Sequence, residues 1–197
     1  EMCIRDRAWI MEYSGGPDVF QFFKAFGDRG ILGPNCVVEV DGTHFVFDDD
    51  DIYIHDGVSP PKSICDSRIR KHIFRNIDLS KRGVCFVYHD VVANEIWFCY
   101  NILDGDVKWP GGDCTYCNEA AVYNYVSDSW TFYDLPNVSS MATIDWQDAL
   151  DYSEMVSVTY ETVGANYADM VGNAARGTYA FSITTTGLTA TRLLNVD

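Results

Sequence analysis

The sequence predicts an all-β fold of antiparallel meanders with one short helix near residues 66–77. Aromatic residues make up 14% of the 197 residues, and aromatic and β-branched side chains favour strands. Short apolar runs also recur between turns rich in Gly, Asn and Asp, which is the pattern of consecutive strands. With 47% hydrophobic residues, a chain of this length can bury a core as one large domain or two small ones.

The first predicted meander lies between residues 37 and 55. Strands are expected at 37–40, 43–47 and 52–55, joined by the Asp41-Gly42 hairpin turn and by the polar turn Asp48–Asp51. Upstream, residues 19–26 form a dense apolar stretch that fits a strand or a single helical turn, because short apolar runs are ambiguous.

A break in the strand pattern at residues 66–77 predicts an amphipathic helix. Asp66 or Ser67 is suited to cap its start. The apolar residues then follow at helical spacing, namely Ile69, Ile73, Phe74 and Ile77.

Four further strands are predicted at 84–89, 95–100, 119–125 and 130–134. Four consecutive antiparallel strands of this size are typical of one β-propeller blade. Their aromatic side chains are expected to pack the blade's core, above all Trp97, Phe98, Tyr123 and Phe132. Beyond them the sequence predicts a connector at 136–151, a strand at 155–161 and a hairpin of 178–183 with 189–194.

Three segments are expected along the chain. Residues 1–7, EMCIRDR, resemble translated sequencing-adapter read-through or a short leader. Residues 8–137 hold the propeller-like blades, and residues 138–197 hold a connector and part of a further blade. Because a final strand without a partner is a liability, the sequence predicts a truncated fragment.

The charge and cysteine content restrict the function classes. A net charge of -15 argues against general nucleic-acid binding, which needs Lys and Arg to neutralise phosphates. No stretch of about 18 apolar residues predicts a transmembrane helix. Seven scattered cysteines do not describe a disulfide framework, so folding in a reducing compartment is the simpler expectation.

Two motifs contain residue types that can bind a metal ion, but for each of them we favour an interpretation without a metal. Cys114 and Cys117 form a C-x-x-C pair, but structural zinc needs four ligands and no second pair is present, so ordinary loop cysteines are expected. Asp48–Asp51 offers the oxygen ligands that calcium prefers, without the usual loop spacing, so a solvated turn is expected.

No catalytic residue and no cofactor are predicted. The histidines, at His44, His55, His72 and His89, show no spacing from which a catalytic triad can be argued. Trp97, Trp130 and Trp146 could provide a platform for a sugar, although tryptophans in strands are more often part of the core. The sequence therefore predicts a protein that is not an enzyme.

A basic segment stands out in the acidic chain. Six of the 14 basic residues fall between positions 68 and 82, namely Arg68, Arg70, Lys71, Arg75, Lys81 and Arg82. The first four define a candidate interaction patch on the predicted helix. A docking face for an acidic partner or subunit and an ordinary solvated face are both open, and DNA contact is a lesser alternative.

Several of these segments together resemble a family. The strings are GPN at 33–35, DGTHFVF at 41–47, DIYIHDG at 51–57, RIRKHIF at 68–74, ANEIWFCY at 93–100 and AAVYNYVSDSWTFYDLP at 120–136. In element order and aromatic hairpins they are similar to tail structural proteins of tailed bacteriophages, of the β-propeller hub, nozzle and packaged-DNA stabilisation types. The similarity covers roughly residues 12–137.

The resemblance implies a virion structural protein near the portal that lines or plugs the DNA channel and takes part in DNA ejection. Other virion subunits, including copies of the same chain, are the implied partners, with assembly in the host cytoplasm. It implies no sequence-specific nucleic-acid binding and no membrane contact. The alternative that we retain is a carbohydrate-binding or glycoside-hydrolase-type β-propeller of an environmental bacterium.

Overall fold

The computed structural model describes residues 2–4, 7–16, 19–102, 115–146, 175–184 and 187–193. These residues form three antiparallel sheets and one α-helix. The expected all-β class is therefore confirmed, and so is the single short helix.

The N-terminal sheet has the strand order β1-β2-β3. Its strands are β1 (Met2–Ile4), β2 (Arg7–Tyr13) and β3 (Phe20–Gly27). The apolar stretch that fitted a strand or a helical turn is thus a strand, because it pairs along its length with β2, from Tyr13 opposite Phe20 to Arg7 opposite Gly27.

The second sheet follows as a four-stranded meander, β4-β5-β6-β7. Its strands are β4 (Val37–Val40), β5 (Thr43–Phe47), β6 (Ile52–His55) and β7 (Lys62–Ser63). The first three strands have the predicted bounds, whereas β7 is too short to show a sequence pattern.

One helix, α1 (Ser67–Asn76), comes next, and the Asp66 side chain caps it by accepting hydrogen bonds from the backbone amides of Arg68 and Ile69. A 3-10 helix at Leu79–Val84 follows. It was not predicted, and it occupies the expected start of the next strand.

The third sheet has six strands in the order β13-β12-β11-β10-β9-β8. They are β8 (Phe86–Asp90), β9 (Glu95–Tyr100), β10 (Cys117–Asn124), β11 (Ser129–Trp146), β12 (Ala175–Thr184) and β13 (Gly187–Leu193). The first three predicted strands of the blade, the start of the fourth and the predicted C-terminal hairpin are confirmed within a few residues.

The connector expected at 136–151 is wrong over its first part. Strand β11 continues through Pro136 to Trp146, so the division predicted after residue 137 falls inside a strand. The continuation is stabilised by β12, whose pairing with β11 begins at Val138 opposite Ser182. This partner is remote in sequence and gives no local signal. The strand expected at 155–161 lies outside the described residues.

Aromatic contacts between the second and third sheets form the main core. Phe47 of β5 is fully buried and meets Phe98 and Tyr100 of β9 edge-on, with ring centroids 5.8 and 6.0 Å apart. Phe74 of α1 reaches the same ring at 5.9 Å. The helix adds Ile73, which is also fully buried, so one apolar cluster joins both sheets and α1.

A second core lies on the other face of the third sheet, because β11 curls over that face. Met141 of β11 lies over Cys99, with their sulfur atoms 3.7 Å apart, and the Tyr88 hydroxyl hydrogen-bonds Thr143. Trp97 and Leu135 are buried between the curled halves. The third sheet therefore has the form of a half-barrel.

The second and third sheets are both antiparallel meanders, and they meet at their first strands, β4 and β8. The backbone amide of Val87 donates to the carbonyl oxygen of Asn35 at 2.8 Å, and Asn35 and Phe86 form a parallel bridge beside β4 and β8. Two meanders thus lie side by side with their first strands running in the same direction. A closed propeller is not present among the described residues.

The predicted burial of the four blade aromatics is confirmed for three of them and is wrong for Phe132. Trp97, Phe98 and Tyr123 are buried, whereas Phe132 is 37% exposed. Pairing places Phe132 opposite Ala121 and beside Phe98 on the core face. However, Phe132 lies outside the main apolar cluster, where its ring meets His72 of α1 edge-on.

We expect Phe47→Ala to lower the free energy of unfolding by about 3–5 kcal/mol, because it removes the ring that joins both sheets and the helix. Urea unfolding measures this loss. Val58→Ala is the control, since Val58 is 92% exposed and its truncation should change stability by less than about 0.5 kcal/mol. Equal effects of the two substitutions would contradict the assignment of this core.

Candidate functional site

The four arginine and lysine residues of the candidate patch do not share one face of α1. Arg68, Lys71 and Arg75 are exposed, and we call these three residues the basic stripe. Arg70 is also exposed, with 45% of its side chain accessible, but its Nη2 donates to Oδ1 of Asp51 at 2.7 Å and to Oγ of Ser63 at 3.0 Å. The remaining two basic residues lie beyond the helix, where Lys81 pairs with Asp78 at 3.8 Å and Arg82 is exposed.

Asp51 is the most buried carboxylate of the acidic turn, at 1% exposure. Besides Arg70, its oxygens accept hydrogen bonds from Arg29 Nη1 at 2.8 Å, Ser63 Oγ at 2.8 Å and the amide of Ile52 at 2.9 Å. A buried charge persists in a fold when ionic and hydrogen-bonding partners surround it. Asp51 therefore ties the turn to α1, to β7 and to the segment that follows β3.

Asp48 makes a second attachment to the same segment. Its Oδ2 accepts a hydrogen bond from the amide of Gly30 at 3.0 Å, and its Oδ1 accepts one from the amide of Asp49 at 2.9 Å. Burial raises the pKa of the Asp48 carboxyl, although the hydrogen bond from Gly30 opposes the rise. The expected solvated turn is thus wrong for Asp48 and Asp51, whose carboxylates are engaged inside the protein.

A calcium ion at this turn would have to bind carboxylate oxygens of Asp48, Asp49 and Asp50. Single carboxylate oxygens of Asp48, Asp49 and Asp50 lie within 4.8 Å of one another, and the last two residues are exposed. Exposed acidic groups often lie this close in turns without binding a cation, so we derive no metal site from them.

The predicted C-x-x-C pair is only half described, because Cys114 lies outside the described residues. The Cys117 thiol is buried and donates to the carbonyl oxygen of Val84 at 3.2 Å. Cys36 similarly donates to the carbonyl oxygen of Cys85 at 3.3 Å. Both thiols behave as small core residues with weak hydrogen bonds.

The four histidines lie in three separate places. His44 and His55 stack on each other with ring centroids 4.9 Å apart. His89 meets the hydroxyl of Tyr125 at 3.3 Å, and His72 Nε2 lies 2.8 Å from Oε1 of the buried Glu119. His72 also borders a surface depression.

That depression is a groove of about 540 Å³ between the start of α1 and the edge of β11. We call it the groove, and it is lined by Asp66, Arg68, Ile69, His72, Asp128, Trp130 and Phe132. Its volume falls within the range of small-molecule pockets, roughly 300–1,000 Å³. Sequence reasoning missed His72 and Phe132 as a pair, because they are 60 positions apart in sequence and meet only when α1 packs on the sheet.

The three tryptophans do not form a shared platform. Trp97 lies opposite Val122, whereas Trp130 lies opposite Tyr123, the next residue of β10, so their side chains point to opposite faces. Trp97 is buried and stacks on Tyr133 at 5.1 Å, and Trp130 borders the groove. The side chain of Trp146 lies outside the described residues.

The N-terminal sheet has a different kind of surface, with aromatic side chains exposed on both faces. Tyr13 is 70% exposed and Phe22 is 56% exposed. The neighbouring large apolar residues are exposed as well, namely Met11, Val19, Phe20 and Phe23. An exposed apolar surface of this extent usually marks a protein contact.

Comparison with protein-family models and with curated proteins supplies no relative. No protein-family model matches the chain, and no curated protein matches it. No helix among the described residues is long and apolar enough to cross a membrane.

We expect Arg70→Glu to destabilise the protein by about 2 kcal/mol or more, because it places a second carboxylate beside buried Asp51 and removes one of its two cations. The adjacent Lys71→Glu is the matched control and should cost less than about 0.5 kcal/mol, since an exposed helix charge contributes little. Urea unfolding of both variants tests this. If Lys71→Glu proved as harmful as Arg70→Glu, the assigned orientation of α1 would be wrong.

We expect the native thiols of Cys65 and Cys99 to resist alkylation by iodoacetamide at pH 8. Burial raises the pKa of Cys65 to about 12 and also raises that of Cys99, and only the thiolate reacts. Peptide mapping by mass spectrometry should find both unmodified in the native protein and modified in guanidinium. Rapid labelling of Cys99 without denaturant would show that the half-barrel opens.

Proposed function

We propose that this chain is a structural subunit of a larger protein assembly, and that the assembly is a phage tail hub or nozzle near the portal. The observation that carries the proposal is the N-terminal sheet, a narrow ribbon with exposed aromatic side chains on both faces. Exposed apolar surface of this extent on three strands lacks a partner surface among the described residues, and such surfaces usually mark a protein contact. A neighbouring subunit that covers Tyr13 and Phe22 would supply it.

The arrangement of the two meanders supports the more specific part of the proposal. Their first strands lie side by side and run in the same direction, as the inner strands of successive propeller blades do. Together with the predicted resemblance to phage tail proteins, this favours a subunit that lines or plugs a DNA channel. The net charge of -15 suits such a place, because DNA has to pass without being bound.

Hydrolysis in the groove is not part of the proposal. Asp66 caps α1 with its carboxylate, and Asp128 accepts a hydrogen bond from the Tyr123 hydroxyl at 2.9 Å. Both acids thus have structural roles, whereas a glycoside hydrolase needs two carboxyl groups free to act on the substrate.

We expect the purified chain to self-associate as its concentration rises, and we expect Phe22→Asp to weaken this association at least tenfold, because a carboxylate would have to be desolvated in an apolar contact. Sedimentation velocity across a concentration series measures the effect. Val58→Asp, at an exposed site outside the N-terminal sheet, should leave association unchanged. A wild-type chain that stays monomeric at every concentration would count against the assembly role.

The phage context needs its own test. Mass spectrometry of purified phage particles that carry this gene should find the protein in stoichiometric amounts with the portal and capsid proteins. If the protein were absent from such particles, the proposed place in the virion would be refuted, whereas the more general assembly role would not be affected.

A further inference from the structure

We propose that the groove is a binding site for a saccharide, in which a pyranose ring lies against Phe132 and Trp130. The proposal does not rest on the apolar contact proposed for assembly, since the groove and the N-terminal sheet share no residue.

The aromatic floor of the groove is held in place by its neighbours. The Trp130 ring packs on Tyr123 at 4.9 Å and on Phe98 at 5.8 Å, while Phe132 is held edge-on by His72 at 4.3 Å. These rings are half-buried on the core side and accessible from the groove. Rigid aromatic faces of this kind bind a flat apolar surface at little cost in conformational entropy.

Polar groups flank this floor, and three of them are fixed by bonds of their own. Asp66 is held by the first turn of α1, Asp128 by the Tyr123 hydroxyl, and His72 by Glu119 at 2.8 Å. Arg68, which lies 3.4 Å from Asp66, adds a guanidinium at the rim. Hydrogen-bond donors and acceptors therefore stand in fixed positions around the aromatic floor, which lowers the cost of ordering them on binding.

The combination selects the class of ligand. A purely apolar molecule would remove water from these polar groups without offering them new hydrogen bonds. A phosphate-rich strand would meet Asp66 and Asp128 in a chain of net charge -15. A neutral sugar ring satisfies both requirements, because its C–H face packs on the aromatic rings and its hydroxyl groups both donate to carboxylates and accept from Arg68.

Saturation-transfer NMR with the full chain tests the proposal. The probes are glucose, galactose, mannose, N-acetylglucosamine, maltose and lactose, each at roughly 10 mM, above the millimolar Kd expected for a shallow site. At least one should show transfer to its ring C–H protons. If none of the six sugars shows transfer, the proposal is overturned.

Matched variants locate the site. Phe132→Ala should weaken binding of the responding sugar roughly five- to tenfold, because it removes an aromatic contact. Tyr133→Ala, at a neighbouring residue with similar exposure on the opposite face of β11, should change it less than about twofold. Equal responses in both variants would place the sugar elsewhere and overturn the proposal.

Asp128→Asn covers the case in which Phe132→Ala unfolds. An Asn side chain can still accept the hydrogen bond from Tyr123, so the fold should persist, while the charged acceptor for sugar hydroxyls is lost. Binding should again weaken several-fold, and unchanged binding in this variant would refute the groove as the site.

Discussion

The positions of α1, β7 and the segment after β3 depend on the buried carboxylate of Asp51. An isolated charge in a protein interior is costly by several kcal/mol, and here it is surrounded by donors from three segments, represented by Arg29, Ser63 and Arg70. The apolar core around Phe47 favours contact between the sheets and the helix but sets no direction, because the hydrophobic effect is non-directional. The ionic network supplies the direction, since its hydrogen bonds require α1 to present Arg70 to the turn.

Once Arg70 faces the turn, the geometry of an α-helix fixes the rest of its surface. Successive residues are rotated by about 100°, so the flank opposite Arg70 carries His72, which meets Glu119 and Phe132 at the edge of the third sheet. The outward side carries Arg68 and Arg75. The groove and the basic stripe are thus two consequences of one orientation, and a change at Asp51 should disturb both even though Asp51 borders neither.

Local signals made much of this fold predictable, and the failures occur where the deciding partner is distant in sequence. The turn at Asp41-Gly42 and the cap at Asp66 are short-range signals, and the strands and helix beside them were predicted within one or two residues. By contrast, the burial of Asp51 depends on Arg29, 22 positions away. The length of β11 likewise depends on β12, and the exposure of Phe132 depends on where the core ends. None of these is visible in a window of neighbouring residues.

In the proposed assembly, too, apolar contacts would supply the affinity and charged groups would set the orientation. The exposed aromatic side chains of the N-terminal sheet favour contact with another apolar surface, but they lie on both faces of the sheet and set no preferred orientation. By themselves they would promote irregular aggregation as readily as an ordered complex. The basic stripe is a local positive surface on a chain of net charge -15, and in the proposed assembly it would attract the acidic surface of a neighbouring copy and oppose other orientations. If the N-terminal sheet provides the affinity and the basic stripe provides the orientation, the subunits are joined by apolar burial and by ionic contacts. These are the same two interactions that join Phe47 and Asp51 to their partners within the chain.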